Sequence, residues 1–180
     1  YPDSTSVVYT YGFSPDANHT IRFSQITTNE NGADFEQLLS PQEWIVQQNN
    51  PEGQTTRYKY NALGELMKVT DADGYTTRYN YDMLGQLTYR GHPDAGETVY
   101  EYDPLGNLIS KTTANLTAQA AGPIRYKYLH NRLIEVCYPI HPDLDVNYTY
   151  DSKGHLVHRS DAAGAEHFDY DPLGNVSMSS

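Results

Sequence analysis

Residues 75–87 read YTTRYNYDMLGQL, a run of alternating polar and aromatic residues that leads into a turn-forming segment and then back to an apolar residue. In an extended chain, Tyr79 and Tyr81 lie on one face, whereas Arg78 and Asn80 lie on the other. The following DMLG combines a side-chain acceptor with a glycine, as tight turns require. The stretch therefore predicts a β-hairpin with one tyrosine-bearing face.

The hairpin pattern recurs along the chain. The second tyrosine of a Tyr-x-Tyr couplet falls at Tyr60, Tyr81, Tyr102, Tyr128, Tyr150 and Tyr170, in steps of 21, 21, 26, 22 and 20 residues. Each couplet precedes Asn or Asp, then Gly, one residue and Leu, with substitutions in two copies. A fixed period of this length indicates a repeat protein, here an all-β chain of tandem antiparallel hairpins that form a twisted strip. The repeat-structural residues are Tyr58, Tyr60, Gly64, Leu66, Gly74, Tyr79, Tyr81, Asp82, Gly85, Leu87, Tyr100, Tyr102, Asp103, Gly106, Leu108, Tyr148, Tyr150, Asp151, Gly154, Leu156, Tyr170, Asp171 and Gly174.

The turn itself has a physical explanation in YDPLGNL, residues 102–108. Asp103 accepts backbone hydrogen bonds at the first position of a type I turn, Pro104 presets φ at the second, and Gly106 takes the fourth. Such a turn closes a hairpin with a glycine bulge. DADG at 71–74 predicts a second turn at the opposite end of the unit.

Several segments depart from the pattern. Residues 126–136 have lost one residue and the glycine, and residues 112–123 are predicted to be an extended loop. Upstream, a cryptic copy places Leu39 in the tyrosine slot and Ile45 in the leucine slot, with Glu43 where glycine is expected. A helix over 34–46 is the competing interpretation, which Pro41 disfavours.

The repeats divide the chain into three parts. Residues 1–52 are divergent hairpins, of which 7–27 read as two strands around a Pro-Asp turn. Residues 53–176 are the main array of about six units, and residues 177–180 are a tail.

Composition excludes several classes of protein. The 180 residues carry 23 acidic and 12 basic side chains, a net charge of −11. Nucleic-acid binders need clustered cations to neutralise phosphates, so no nucleic-acid partner is expected. No apolar run approaches the roughly 18–20 residues of a transmembrane helix, so membrane insertion by this segment is not expected either. The single Cys137 excludes an intramolecular disulfide and a cysteine-based zinc site.

The units resemble the YD repeats of the RHS family, which includes bacterial Rhs polymorphic toxins, the C component of Tc toxins and teneurins. YDPLGNL at 102–108 and YDPLGNV at 170–176 are close to the family signature, and YNALGEL, YDMLGQL and YDSKGHL are similar to it. The resemblance is clear over 53–176 and weaker over 1–52. It implies that the strip is a segment of a hollow β-shell, which in bacterial members encloses a C-terminal toxin.

Motifs that carry chemistry are missing from the sequence, and no cofactor, metal ion or catalytic residue is expected. The aspartates after the tyrosines recur at one turn position, which favours structural caps over catalytic pairs. The seven histidines are scattered without metal-ligand spacing. Four Asn-x-Ser/Thr sequons, at Asn18, Asn115, Asn147 and Asn175, would matter only in a glycosylating host.

Two functional classes follow. The leading one is a non-enzymatic wall segment of a toxin-encapsulating shell, part of a larger bacterial protein that is secreted or displayed at the cell surface. Its partners would be the rest of that shell and the C-terminal toxin cargo. The alternative is a carbohydrate-binding module whose exposed rings, Tyr58 and Tyr79, stack on a glycan. Unpaired strand edges at either end would favour edge-to-edge self-association.

Overall fold

Consecutive strands of the chain pair antiparallel with their sequence neighbours, as tandem hairpins require. The computed structural model describes residues 8–13, 23–28 and 34–179. Its strands are β1 (Val8–Phe13), β2 (Phe23–Thr28), β3 (Asp34–Leu39), β4 (Ile45–Asn49), β5 (Thr55–Tyr60), β6 (Leu66–Thr70), β7 (Thr76–Tyr81), β8 (Leu87–His92), β9 (Gly96–Tyr102), β10 (Leu108–Thr113), β11 (Ile124–Leu129), β12 (Arg132–Cys137), β13 (Val146–Tyr150), β14 (Leu156–Asp161), β15 (Gly164–Tyr170) and β16 (Val176–Ser179). A short helix, α1 (Ala114–Ala118), and a 3₁₀ turn, Pro142–Leu144, complete the described structure. The predicted all-β fold of antiparallel hairpins is confirmed.

The strands fall into two compact units. The first holds residues 1–85 and 90–94, and the second holds 86–89 and 95–180. In the first unit β1 to β7 pair in sequence order, and in the second β9 to β16 do the same. Within each unit, every hairpin therefore lies against its sequence neighbours.

Six of the described hairpins carry the same irregularity at their turn ends. Tyr60 lies opposite Leu66 and Tyr102 opposite Leu108, with a β-bulge just inside each pair. The upstream hairpin repeats this arrangement, since Leu39 lies opposite Ile45 across a bulge. The hairpin interpretation of this segment is thus correct, and residues 34–46 are not helical.

Some details differ from the sequence expectation. Of the predicted loop 112–123, Thr112 and Thr113 extend β10 and residues 114–118 form α1, because Leu116 finds a buried position there and α1 contacts β9 and β10. Residues 177–179 are not a tail, since they pair with β15. In the first hairpin, β1 and β2 pair as predicted, but the Pro-Asp turn lies outside the described residues.

The shortened repeat at 126–136 uses a different turn. Leu129 lies opposite Arg132, so only His130 and Asn131 connect the strands. Both residues have positive φ, 48° and 63°, as a two-residue type I′ turn requires. Deleting one residue has therefore changed the turn type while keeping the hairpin.

Burial in the described residues is shallow. Only three apolar side chains, Leu39, Leu116 and Val136, are buried, with 6–9% of their surface exposed. The alternating strands instead leave their tyrosine-bearing face half-buried, as in β5 and β7. Hydrogen bonds between hairpins therefore contribute to the stability of this fold, in which few apolar side chains are buried.

Candidate functional site: the contacts between hairpins

The second tyrosine of every couplet makes the same contact with the preceding hairpin, which we call the tyrosine latch. Its hydroxyl donates to the backbone carbonyl of the residue in the leucine slot, at 2.8–3.1 Å. The six latches join Tyr60 to Ile45, Tyr81 to Leu66, Tyr102 to Leu87, Tyr128 to Leu108, Tyr150 to Leu133 and Tyr170 to Leu156. Because the accepting residue lies at the bulge end of its strand, the tyrosine ties each turn end to the next hairpin.

Partial burial favours the neutral, donating form of these phenols. Desolvation raises the pKa of Tyr60, Tyr81, Tyr128 and Tyr150 above the ordinary value near 10. Neighbouring negative groups act in the same direction, such as the Glu65 carboxylate on the pKa of Tyr81. These four latch hydroxyls therefore keep their protons across the physiological range.

The aspartate after the couplet organises the turn. Asp103 Oδ1 accepts from the backbone N–H groups of Leu105 and Asn107, and Oδ2 accepts from Asn107 Nδ2, all at 2.9 Å. Gly106 follows with φ of 86°. The side-chain hydrogen bond from Asn107 is the main reason that the pKa of Asp103 is lowered. These bonds occupy the carboxylate in a structural role.

The same turn bonds recur at Asp151 and Asp171. The pKa of Asp171 is lowered by the side-chain hydrogen bond from Asn175. Burial opposes ionisation of Asp151, but hydrogen bonds from the backbone and ring of His155 still lower its pKa. The repeated geometry is that of a turn cap, since each carboxylate serves its own hairpin.

A second contact between hairpins has no counterpart in the sequence prediction. The side chain just before the leucine slot lies over the turn glycine of the following hairpin. A Cβ at Gly64 would meet the Trp44 ring at 3.0 Å, and one at Gly85 would meet Glu65 Oε1 at 2.9 Å. The further pairs are Gln86 with Gly106, Arg132 with Gly154 and His155 with Gly174. The glycine thus serves both the left-handed backbone and the close approach of a neighbour.

The couplet positions Tyr58 and Tyr79 do not form exposed platforms. Both are half-buried in their strands, and the Tyr58 hydroxyl lies 3.4 Å from Gln48 Oε1. Tyr58 and Tyr60 line an open cleft of about 520 Å³ together with Trp44, whose ring centroid is 5.5 Å from that of Tyr60. Trp44 was not singled out from the sequence, although it is the only tryptophan and precedes Ile45 in the cryptic copy.

Two side-chain clusters resemble chemical sites. His155 stacks on Tyr170 at 4.7 Å while its Nδ1 lies 3.0 Å from Asp151 Oδ2. The stacking joins two successive hairpins, in the same way as the other side chains that precede a leucine slot, whereas the contact with Asp151 lies within one hairpin.

Glu135, Cys137 and Asp145 bring three atoms that could bind a metal ion, two carboxylate oxygens and one thiol sulfur, within 4.8 Å of one another. Cys137 Sγ donates to Glu135 at 2.9 Å, which raises the pKa of the thiol, and Lys127 Nζ is 2.7 Å from the same carboxylate. Asp145 accepts from the Tyr138 N–H at 2.7 Å. Each of the three side chains therefore already has a hydrogen-bond partner within the protein. Glu135 and Cys137 are two residues apart on β12, a spacing that places them on one face.

The sequon asparagines Asn115, Asn147 and Asn175 are exposed, whereas Asn18 lies outside the described residues. Asn115 lies on α1 and Asn147 in β13. Within the described part of the chain, neither helical segment has the length and apolar character that crossing a bilayer would need.

Comparison with known proteins identifies the architecture. Residues 4–180 match the family model described as teneurin YD-shell. No curated protein sequence matches the chain significantly.

Solved structures share the fold at low sequence identity. A crystal structure of TcdB2-TccC3-TEV superposes with a TM-score of 0.68 at 16% identity, over 93% of this chain and 10% of that one. TcdB2-TccC3 without its hypervariable C-terminal region gives 0.55 at 22%, over 87% and 9%. A Photorhabdus luminescens Tc holotoxin pore gives 0.51 at 14%, over 95% and 13%.

The chain thus spans about a tenth of the length of these structures. The match of nearly the whole chain, together with the repeated latches and turns, confirms the resemblance noted in the sequence: the chain belongs to the teneurin YD-shell family.

Proposed function

We propose that this chain is a non-enzymatic wall segment of a shell that encloses a C-terminal toxin in a secreted bacterial protein. The observation that carries the proposal is the tyrosine latch, which repeats with one geometry through both units. A wall needs every hairpin to be bonded to its neighbours. A repeat whose recurring tyrosine forms a hydrogen bond to the preceding hairpin is suited to that role.

Two further observations support a wall. The described aspartates of the turns have their oxygens occupied by their own hairpins, which leaves no free acid–base pair among them. The structurally similar proteins include TcdB2-TccC3, one structure of which is described as lacking a hypervariable C-terminal region. A variable segment that follows a shell of constant architecture is what interchangeable cargo would require.

The test is limited proteolysis of the longer protein that contains these residues. We expect its C-terminal segment to resist a protease under native conditions and to be cleaved once the shell is denatured. Replacing the latch tyrosines Tyr60, Tyr81 and Tyr102 together by phenylalanine should speed cleavage of that segment, whereas Tyr75→Phe should not. Equal cleavage rates for the segment within the intact protein and alone would contradict encapsulation.

A second candidate function rests on the cleft at Trp44, Tyr58 and Tyr60. Clefts with aromatic walls and a few polar groups are typical of small-ligand and sugar sites. Titration of the 180-residue chain with neutral oligosaccharides tests it. Saturable binding that is lost in Tyr58→Ala but kept in Tyr79→Ala, with both variants folded, would favour a glycan module at this cleft.

A further inference from the structure

Two histidines from successive hairpins lie directly opposite each other in the second unit, and we call them the histidine pair. His158 on β14 is the cross-strand partner of His167 on β15. Directly opposed residues of an antiparallel pair share one face and have Cβ atoms about 4.5–5.5 Å apart. The two imidazoles are nine positions apart in the sequence, and the register of β14 with β15 brings them within reach of a single ion.

A carboxylate on the same face adds a third potential ligand. Asp169 follows His167 by two positions on β15, a spacing that places both side chains on one face. Asp169 Oδ1 lies 3.4 Å from His167 Nε2, whereas a charge-assisted hydrogen bond would be about 2.7–2.9 Å long. Two ligand atoms that each lie about 2.0–2.1 Å from a tetrahedral metal ion are about 3.3–3.4 Å apart. The observed separation therefore suits joint coordination of an ion.

The three side chains are open to solvent. His167 and Asp169 have 55% and 53% of their side-chain surface exposed, and His158 is half-buried. His167 and Asp169 also line an open cleft of about 410 Å³, together with the exposed Lys153. An ion bound here would keep water in the coordination positions that the protein does not fill.

The charge beside the histidine pair favours a cation. Thr149 lies opposite His158, and the next cross-strand pair on this face is Ser160 with Ala165, all of them uncharged. Arg159 follows His158 in the chain and so lies on the opposite face, where it pairs with acidic residues. Asp169 therefore brings a negative charge to two neighbouring imidazoles in a chain whose net charge is −11.

The cluster of Glu135, Cys137 and Asp145 suits an ion less well. Lys127 Nζ already lies 2.7 Å from the Glu135 carboxylate, and the Cys137 thiol donates to the same group. An incoming cation would have to displace both an ammonium group and a thiol proton. The histidine pair needs no such displacement, because a neutral imidazole binds a metal ion directly.

We propose that His158, His167 and Asp169 bind a divalent transition-metal ion, with water in the open position. Imidazole and carboxylate ligands are typical of zinc sites, and imidazole also suits copper and nickel. His158 belongs to the hairpin of β13 and β14, whereas His167 and Asp169 belong to that of β15 and β16. The ion would therefore cross-link two successive hairpins, which the Tyr170 latch also joins. The site is independent of both candidate functions above.

The experiment is a calorimetric titration of the 180-residue chain with zinc chloride. We expect saturable binding of one ion per chain and a higher melting temperature, because an ion that binds only the folded state stabilises it. Magnesium chloride should do neither, since magnesium prefers oxygen ligands. His158→Gln and His167→Gln should each weaken zinc binding about tenfold or more, because each variant lacks one of three ligands.

Two control variants separate this site from other side chains. His141 is an exposed histidine of the same unit, and His141→Gln should leave zinc binding within about twofold. Cys137→Ser tests the neighbouring cluster and should have an equally small effect. Because His167 is largely exposed, His167→Gln should retain the metal-free melting temperature, which keeps the test valid even if His158→Gln is less stable.

The proposal is overturned if the unaltered chain does not bind zinc, or if His167→Gln binds it as tightly as the unaltered chain. It is also overturned if Cys137→Ser alone abolishes binding, which would place the ion at the other cluster. An equal loss of affinity in His141→Gln and His167→Gln would overturn it as well, since the histidines would then bind zinc without a defined site.

Discussion

The hydroxyl of one tyrosine per repeat is the smallest unit on which this architecture depends. In Tyr81→Phe the ring remains but the donor to the Leu66 carbonyl is lost. We expect the free energy of unfolding to fall by about 1 kcal/mol, the usual net value of one such hydrogen bond. Tyr75→Phe is the matched control, since Tyr75 is 59% exposed, and it should change stability by less than about 0.5 kcal/mol. Urea unfolding of the unaltered chain and the two variants measures the difference. Equal stabilities would show that the latch hydrogen bond does not stabilise the fold.

Glu43 shows the cost of a missing glycine. It occupies the turn-glycine slot of the cryptic hairpin with φ of 65°, a conformation that costs a residue with a side chain about 1–2 kcal/mol. Glu43→Gly should therefore stabilise the protein by about 1 kcal/mol. Gly106→Ala, where φ is 86°, should destabilise it by a similar amount. Thermal unfolding of both variants tests this, and a destabilised Glu43→Gly would show that its side chain has an unrecognised role.

At the scale of elements, the hairpins tolerate changes in their connections. The hairpin that turns at His130 and Asn131 is one residue shorter than the others, yet Tyr150 still donates to the Leu133 carbonyl beside this turn. The long connection after β10 is likewise absorbed by α1 without interrupting the pairing of β10 with β11. The bulge and the latch beside the turn therefore set the position of a hairpin more strongly than the type of turn does.

The short helix α1 is held by one buried side chain. Leu116, 9% exposed, is the only buried residue of α1, which contacts β9 and β10. A five-residue helix is not stable in isolation, so its order depends on this packing. Leu116→Ala should lower the free energy of unfolding by about 2 kcal/mol and increase hydrogen exchange in 114–121. Gln119→Ala, at an exposed position, is the control; unchanged exchange in Leu116→Ala would contradict the packing explanation.

At the scale of the whole molecule, we expect the latches to make the protein less stable at alkaline pH. A phenol whose pKa is raised by folding stabilises the fold fully below its unfolded value and loses that contribution as pH rises through the folded value. Since burial raises the pKa of Tyr60, Tyr81, Tyr128 and Tyr150, stability should be level to about pH 9 and fall above about pH 10. Tyrosinate absorbance and circular dichroism followed together should change in the same pH range.

A variant with all four of these tyrosines changed to phenylalanine should be less stable at neutral pH but lose less stability on going to alkaline pH. If it has the same alkaline profile as the unaltered chain, other groups control the transition. Salt provides an independent check, because hydrogen bonds between neutral groups are not screened by ions.

The sequence by itself determined the hairpins, their order and the turn chemistry. A period near 21 residues, alternating tyrosines and Asp-x-x-Gly segments are local signals, and each hairpin is a local structure. The same period also places Leu39 and Ile45 in the tyrosine and leucine slots of the upstream hairpin. The extended loop at 112–123 was wrong in part because Leu116 becomes helical only through packing on β9 and β10, which no local pattern records.

Only the tertiary structure decided which groups meet across hairpins. The acceptor of each latch is a backbone carbonyl, which carries no residue identity, so the Tyr-x-Tyr couplet could not reveal it. The coverage of turn glycines by the preceding hairpin and the pairing of His158 with His167 depend on strand register, which the bulges set one residue at a time. A shift of one residue would reverse the faces of a strand, and for that reason the contacts between repeats, unlike the repeats, had to be read from the fold.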